Sequence, residues 1–136
     1  MTATTTLPEA KRYICTHSPT GKSIVHSSPA QVIHSFGEMS GARSYATSSI
    51  PAVLKDDVDI SAYLAPAGPT SRNGAEIVVP TGKGANLMVV DLPPGSKSAM
   101  HRTVSIDFSI CVIGHVCMEM DRGETLELRP GVCVSF

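Results

Sequence analysis

Hydrophobic and polar positions alternate most clearly in the C-terminal part of the chain. The segments 115–120 and 125–129 each place apolar side chains at every second position. Because successive side chains of a strand point to opposite faces of its sheet, this period predicts two strands. Asp121–Glu124 between them and Pro130-Gly131 after them are typical of turns. Val132–Phe136 is predicted to start one more strand.

Short apolar runs separated by turn-forming residues continue the pattern upstream. Arg12–His17 and Ser23–Ser27 flank the turn-rich Ser18–Lys22, which predicts a β-hairpin. The one helical turn is predicted at Asp56–Tyr63, and Leu64–Asn73 is predicted to be a loop. Further strands are predicted at Gln31–Phe36, Arg43–Thr47, Glu76–Val79 and Ala85–Leu92. Many short strands with turns between them indicate an antiparallel sandwich or barrel.

Composition supports a small β-rich domain. The chain has 136 residues with 11 Gly, 10 Pro and no Trp, so long helices are disfavoured. We expect a flexible N-terminus over residues 1–10 and a single domain over residues 11–136, since this length suits one domain.

Charge and cysteine content exclude several classes of protein. The formal net charge is -1, whereas a protein that binds nucleic acid or an anionic membrane needs a basic patch. No apolar run is long enough to span a bilayer, and the start lacks the features of a signal peptide. We therefore expect a cytoplasmic protein whose four cysteines are reduced thiols, most of them in the core.

One segment carries a recognisable spacing of polar residues. Gly95 is followed by five residues and His101, then Thr103, three residues, Asp107, six residues and Gly114. This spacing resembles the first motif of the cupin family, in which a glycine precedes His-x-His, a glutamate and a second glycine. Thr103 stands where the second histidine of that motif would be, and Asp107 stands where the glutamate would be.

A strand through this segment would bring its polar residues together. Residues two apart share a face, so His101, Thr103, Ser105 and Asp107 are predicted to form a polar stripe on one side. If that side faces the interior of a barrel, the stripe lies inside an otherwise apolar cup. The motif region is placed at residues 93–136.

The resemblance implies a fold and a biological setting. It implies an all-β, antiparallel, cupin-like jelly-roll barrel, similar to small fungal cupin type-2 proteins that act as oxidoreductases in secondary-metabolite pathways. In that family a further histidine follows a turn like Pro130-Gly131, and this chain ends at Phe136. We therefore expect a barrel that is incomplete at its C-terminus, with open sheet edges that a second copy of the chain could cover as a homodimer.

The candidate site residues have alternative roles. His101 is interpreted as a general acid/base catalyst with Asp107 as its catalytic partner, or else as a hydrogen-bonded interior histidine. Thr103 and Ser105 would line a substrate pocket. Arg43 and Tyr45 would contact substrate at a pocket opening, unless Arg43–Thr47 is an ordinary surface strand. No metal or other cofactor is expected, because a metal site normally needs three side-chain ligands.

Two classes of function follow from these residues. The first is a tailoring enzyme, an oxidoreductase by resemblance, which acts on a small-molecule polyketide or aromatic intermediate of fungal secondary metabolism. The alternative is a non-catalytic binding or accessory protein of such a pathway, or a metal-independent dehydratase, decarboxylase or isomerase. The expected partner is a small molecule, with no nucleic acid and no membrane.

Overall fold

The computed structural model describes residues 6–77 and 82–136. In chain order its strands are β1 (Ile14–His17), β2 (Ser23–Ser27), β3 (His34–Phe36), β4 (Met39–Thr47), β5 (Ala85–Asp91), β6 (Phe108–Ile110), β7 (Val116–Glu119), β8 (Thr125–Leu128) and β9 (Cys133–Ser135). A 3-10 turn, Lys55–Asp57, leads into helix α1 (Val58–Leu64). All strand pairs are antiparallel, which confirms the predicted all-β, antiparallel class.

The strands form separate sheets. Their orders are β1-β2, β3-β4-β5, β6-β9 and β7-β8, and across the described residues they do not close into a barrel. Internal contacts divide the chain into two compact units, residues 1–97 and residues 98–136, which we describe one at a time. The jelly-roll topology and the single domain over residues 11–136 stay predictions.

The first unit begins with the predicted hairpin. The backbone N–H of Ser18 donates to the carbonyl of Lys22 at 2.8 Å, and that of Gly21 donates back to the carbonyl of Ser18 at 2.8 Å. Gly21 has a positive φ of 78°, which only glycine adopts readily. The hairpin predicted from Arg12–His17 and Ser23–Ser27 is therefore confirmed in β1 and β2.

The β3-β4-β5 sheet has its most buried strand at the centre. Ala42, Arg43, Ser44 and Ala46 of β4 are each no more than 2% exposed. The interpretation of Arg43–Thr47 as an ordinary surface strand is therefore wrong. The sequence was misleading because Arg43 and Ser44 are adjacent polar residues, and residues of these types are usually exposed.

The strand predicted at Glu76–Val79 has a mixed outcome. Glu76 and Ile77 lie outside any strand, and positions 78 and 79 lie outside the described residues. Ala85–Leu92 is confirmed as β5, which pairs with β4 from Ser40 opposite Asp91 to Thr47 opposite Ala85.

A small apolar core joins α1 to the hairpin. Ile14, Ile60 and Tyr63 are buried together, and Tyr45 and Leu64 pack against them. The helix begins after Asp57, whose φ of 51° is left-handed, a conformation that aspartate tolerates better than most residues. The hydroxyl of Thr16 donates to the Asp57 carboxylate and so ties the start of the helix to β1.

Tyr63 organises the polar groups around this core. Its hydroxyl donates to the carbonyl of Arg43 at 2.8 Å and accepts from Nη2 of Arg12 at 3.0 Å. The Arg12 guanidinium also lies 4.9 Å from the centre of the Tyr63 ring, within cation–π range. The centre of the Tyr45 ring lies 4.8 Å from the centre of the Tyr63 ring, and the two ring planes are inclined at 36°. Strand β4 is thus linked to α1 by a phenol that is both packed and hydrogen bonded.

The second unit is much less buried. In the β7-β8 pair, Val116 lies opposite Leu128 and Met118 lies opposite Leu126, which confirms the predicted alternation. Several apolar side chains are nevertheless largely exposed, with Val104 at 94%, Ile106 at 78%, Phe108 at 77% and Val112 at 75%. Coverage of such residues by a second copy of the chain stays a prediction.

The cysteines differ from expectation. All four are free thiols, but Cys15, Cys117 and Cys133 are exposed and only Cys111 is buried. The prediction that most of them lie in the core is wrong, because Cys117 falls on the polar face of β7 and Cys133 on the short β9.

No helix in the described part of the chain is long and apolar enough to cross a bilayer.

Tyr63→Phe tests the role of the buried phenol. Removing the hydroxyl leaves the carbonyl of Arg43 without its donor, so we expect the free energy of unfolding to fall by about 1–3 kcal/mol. Urea denaturation followed by circular dichroism measures this change. Tyr13→Phe is the matched control, because Tyr13 is 64% exposed and should change stability by less than about 0.5 kcal/mol. Equal effects of the two substitutions would contradict this account.

Candidate functional site

The motif segment in the second unit is irregular where a strand was predicted. Residues 101–107 are outside any strand, and β6 begins only at Phe108. His101, Thr103 and Ser105 are exposed, and Asp107 is half-buried. The predicted strand through these residues, with one shared polar face, is therefore wrong. The physical reason is that a strand needs a neighbour to pair with, and β9 pairs only with Phe108–Ile110. Upstream of Phe108, the N–H of Phe136 donates to the carbonyl of Asp107, and β9 pairs with none of the earlier residues of the segment.

His101 keeps one ring nitrogen available. Its Nδ1 lies 2.9 Å from the carbonyl oxygen of Ala99. A carbonyl oxygen can only accept, so Nδ1 carries the proton in this contact, and Nε2 of the neutral ring holds the lone pair. An exposed imidazole with a basic Nε2 is able to accept a proton from a bound molecule.

Asp107 is held by its neighbour and not by the histidine. The hydroxyl of Ser105 donates to Oδ1 of Asp107 at 2.7 Å. The structure thus brings Ser105 and Asp107 together, and the contacts of the described residues include none between Asp107 and His101. Thr103 is exposed. The assigned roles of these residues stay predictions.

Arg43 belongs to the first unit and is buried in it. Its Nη1 donates to the carbonyls of Pro69 at 3.1 Å and Ser71 at 2.9 Å, and its Nη2 donates to the carbonyl of Glu76 at 2.7 Å. The structure does not place it at a pocket opening, because the side chain is inaccessible and these donors hold the loop that follows α1. Its role in substrate binding stays a prediction.

Tyr45 faces an acidic residue on the helix. Its hydroxyl donates to Oδ2 of Asp59 at 2.6 Å. Burial raises the pKa of Tyr45 above its ordinary value, and the hydrogen bond to Asp59 and the negative charges of Asp59 and Asp57 raise it further. Asp59 also lines a cavity of about 80 Å³, together with Ala46 of β4 and other residues. Of the two partners, Asp59 is the one that lines the cavity, with a carboxylate that accepts the hydrogen bond of the Tyr45 phenol.

Neither Asp59 nor Tyr63 was predicted from the sequence to take part in a site. Asp59 lies four residues before Tyr63, so both point to the same side of α1. That spacing, in a segment already predicted to be helical, was the signal that could have found them. Their contacts with β4 depend on tertiary packing, which the spacing alone does not specify.

The donor set does not fit the metal site that the cupin resemblance implies. Among the residues that the structure describes, no three His, Cys, Asp or Glu side chains lie close enough together to hold a metal ion. His101 and Asp107 would need a third ligand, and Thr103 is a poor one. The absence of a cofactor stays a prediction.

Comparison with known proteins gives a consistent set of relatives. The chain is 34% identical over 128 residues to phomopsin biosynthesis cluster protein C' of Diaporthe leptostromiformis, covering 88% of this chain and 62% of that protein. It is 28% identical over 127 residues to oryzines biosynthesis cluster protein J of Aspergillus oryzae, covering 91% and 68%. It is 29% identical over 128 residues to the cupin-domain-containing oxidoreductase fogC of Aspergillus ruber, covering 92% and 59%.

These relatives are fungal biosynthesis-cluster proteins. The chain spans 62% of the length of each of the two phomopsin cluster proteins that it matches. No family model matches the chain. The similarity extends over nearly all of this chain, including the motif segment, and supports a cupin-like family at modest identity.

Alkaline titration tests the Tyr45–Asp59 contact. The pKa of Tyr45 is raised from the ordinary 10.0, so its neutral form contributes stability that is fully present below pH 10.0 and lost as the pH rises through the folded-state pKa. Asp59→Asn removes the negative charge, so we expect the pKa of Tyr45 to fall. The alkaline loss of stability should then be smaller and complete at a lower pH, with its onset near pH 10.0 unchanged. Tyrosinate absorbance and chemical denaturation measure the two effects. Asp121→Asn, in the exposed β7–β8 turn, is the control. Identical titration and stability curves for Asp59→Asn and Asp121→Asn would contradict the assignment.

Proposed function

We propose that this chain is a cupin-like tailoring protein of fungal secondary-metabolite biosynthesis that acts on a small-molecule intermediate. The observation that carries the proposal is the similarity, over nearly the whole chain, to fungal biosynthesis-cluster proteins, one of them named a cupin-domain-containing oxidoreductase. The antiparallel sheets and the spacing from Gly95 to Gly114 support it. Its class is that of an oxidoreductase acting on a polyketide or aromatic compound.

The contribution of this chain's own residues is proton transfer at His101. The contact of Nδ1 with the Ala99 carbonyl fixes which nitrogen is protonated, and Nε2 then removes a proton from a bound intermediate. Asp107, held by Ser105, supplies a negative charge in the same segment that favours the resulting imidazolium. Thr103 contributes a hydroxyl that can hydrogen bond the intermediate.

A non-catalytic binding or accessory protein is the second candidate. It is favoured by the exposure of His101 and Thr103, since catalytic groups usually work in sites from which water is excluded. Calorimetry with the intermediate that accumulates in a host lacking this gene separates the two candidates. Binding without any product supports the second candidate, and conversion to product supports the enzyme.

His101→Gln tests the catalytic assignment. Loss of a general acid/base lowers turnover by about 100-fold or more, so a host that carries this variant should lose most of the pathway product. Product analysis of host cultures measures the change. His115→Gln is the matched control, because His115 is also exposed and lies in the same unit. Circular dichroism of both purified variants verifies the fold, and a normal product yield with His101→Gln would refute the assignment.

Elemental analysis tests the expectation that no metal takes part. We expect the protein, purified from a host grown with ordinary trace metals, to contain far less than one equivalent of iron, manganese or zinc, because the described side chains offer no set of three ligands. Stoichiometric metal that is lost in His101→Gln but kept in His115→Gln would replace the proposed proton transfer with metal chemistry at this segment.

A further inference from the structure

The loop after α1 contains an asparagine that is followed by a glycine. Of the two asparagines in the chain, Asn73 precedes Gly74 and Asn86 precedes Leu87. The backbone nitrogen of the next residue can attack the side-chain amide of an asparagine, and glycine hinders this attack least because it has no Cβ. Asn73 is also exposed to water. Asn73 and Gly74 are therefore the more reactive of the two pairs.

The reaction at such a pair is deamidation, and it needs only water. Hydroxide takes the N–H proton of Gly74, and the nitrogen then attacks Cγ of Asn73. A C–N bond forms, the Cγ–Nδ2 bond breaks, and the departing nitrogen takes a proton from water and leaves as ammonia. Water then hydrolyses the cyclic succinimide at either carbonyl. The products are aspartate and isoaspartate, and the backbone of isoaspartate runs through the side chain and is longer by one carbon atom.

The folded loop holds both reacting groups in hydrogen bonds. The N–H of Gly74 donates to the carbonyl of Ser71 at 3.0 Å and closes a turn, so the proton that must leave is bound. Nδ2 of Asn73 donates to the carbonyl of Pro66 at 2.9 Å, and the N–H of Asn73 donates to Oγ of Ser71 at 3.2 Å. The native loop therefore slows the reaction, because the first two of these contacts must open before the attack.

The same loop is attached to the buried guanidinium of Arg43. Nη1 donates to the carbonyl of Ser71 at 2.9 Å and Nη2 donates to that of Glu76 at 2.7 Å, so one planar group fixes the spacing of two carbonyls on either side of Asn73. A Cβ on Gly74 would lie only 2.5 Å from Nη1. An additional backbone carbon at position 73 changes this spacing, and a lost acceptor leaves a buried donor without a partner.

We propose that Asn73 is a site of spontaneous deamidation, which the folded loop retards and whose isoaspartyl product weakens the attachment of the loop to Arg43. The frequency with which the loop opens sets the rate of the modification. The reaction needs no enzyme and no cofactor, and it does not depend on the chemistry proposed for His101.

Incubation of the full chain at mildly alkaline pH, followed by peptide mass spectrometry, tests the proposal. We expect Asn73 to give aspartyl and isoaspartyl products while Asn86 stays unmodified. Because two hydrogen bonds must open, the rate in the folded chain should be about tenfold or more below the rate in the chain unfolded in guanidinium chloride. Absence of product at Asn73 in the unfolded chain, or equal rates in the folded and unfolded chains, would overturn the proposal.

Ser71→Ala tests the control of the rate by the loop. It removes the hydroxyl that accepts from the N–H of Asn73 and donates to the carbonyl of Ala65, so deamidation of the folded chain should accelerate about threefold or more. Ser44→Ala is the matched control, because Ser44 is also buried but accepts from Gln31, outside the loop. Equal rates for the two variants, under conditions in which circular dichroism shows both to be folded, would refute this control.

Chains that have aged to partial conversion test the effect on the attachment. Chromatography separates the isoaspartyl chain, and Asn73→Asp supplies the same negative charge on a backbone of ordinary length. The isoaspartyl chain should unfold at a lower guanidinium chloride concentration than Asn73→Asp, because only its backbone is lengthened between the carbonyls that Arg43 holds. Coincident unfolding curves would refute the proposed effect on Arg43.

Discussion

Burying a guanidinium costs several kcal/mol unless its donors are used, and Arg43 is buried at the centre of the most buried strand. Backbone carbonyls of Pro69, Ser71 and Glu76 accept from it, whereas the nearest carboxylate, that of Glu76, is 3.5 Å away and mostly exposed. The charge is therefore balanced mainly by the dipoles of a loop, which accept from Nη1 and Nη2, while Nε has no partner among the described residues. Since the carbonyl of Arg43 also accepts from Tyr63, one residue joins the sheet, the helix and the loop. Gly74 is required beside it, because a Cβ there would lie 2.5 Å from Nη1.

Local patterns predicted the elements whose pairing is local. The β1–β2 and β7–β8 hairpins were predictable because turn residues at Ser18–Lys22 and Asp121–Glu124 bring adjacent segments together. The burial of β4 was not predictable, because it depends on what Arg43 contacts some thirty residues later along the chain. A polar side chain in a strand indicates exposure on average, and only the three-dimensional arrangement of the loop reverses this.

In the motif segment the sequence pattern is present, but the structure that the pattern predicts is not. The positions of Gly95, His101, Asp107 and Gly114 agree with a family pattern, yet the shared face that would give the pattern its chemistry requires a partner strand along residues 101–107. The spacing specifies which residue types stand at which positions, whereas strand pairing determines the directions in which their side chains point. Asp59 illustrates the converse, since its contact with Tyr45 was visible only once helix and sheet were packed.

The placement of the aromatic residues has a consequence for spectroscopy of this chain. It contains no tryptophan, and its tyrosines are Tyr13, Tyr45 and Tyr63, all in the first unit. The aromatic residues of the second unit, Phe108 and Phe136, are nearly silent in emission by comparison. Intrinsic fluorescence therefore reports on residues 1–97 alone, with Tyr45 and Tyr63 close enough to exchange excitation energy. Events around His101 need a label, for which the exposed thiol of Cys133 provides a position in the same unit.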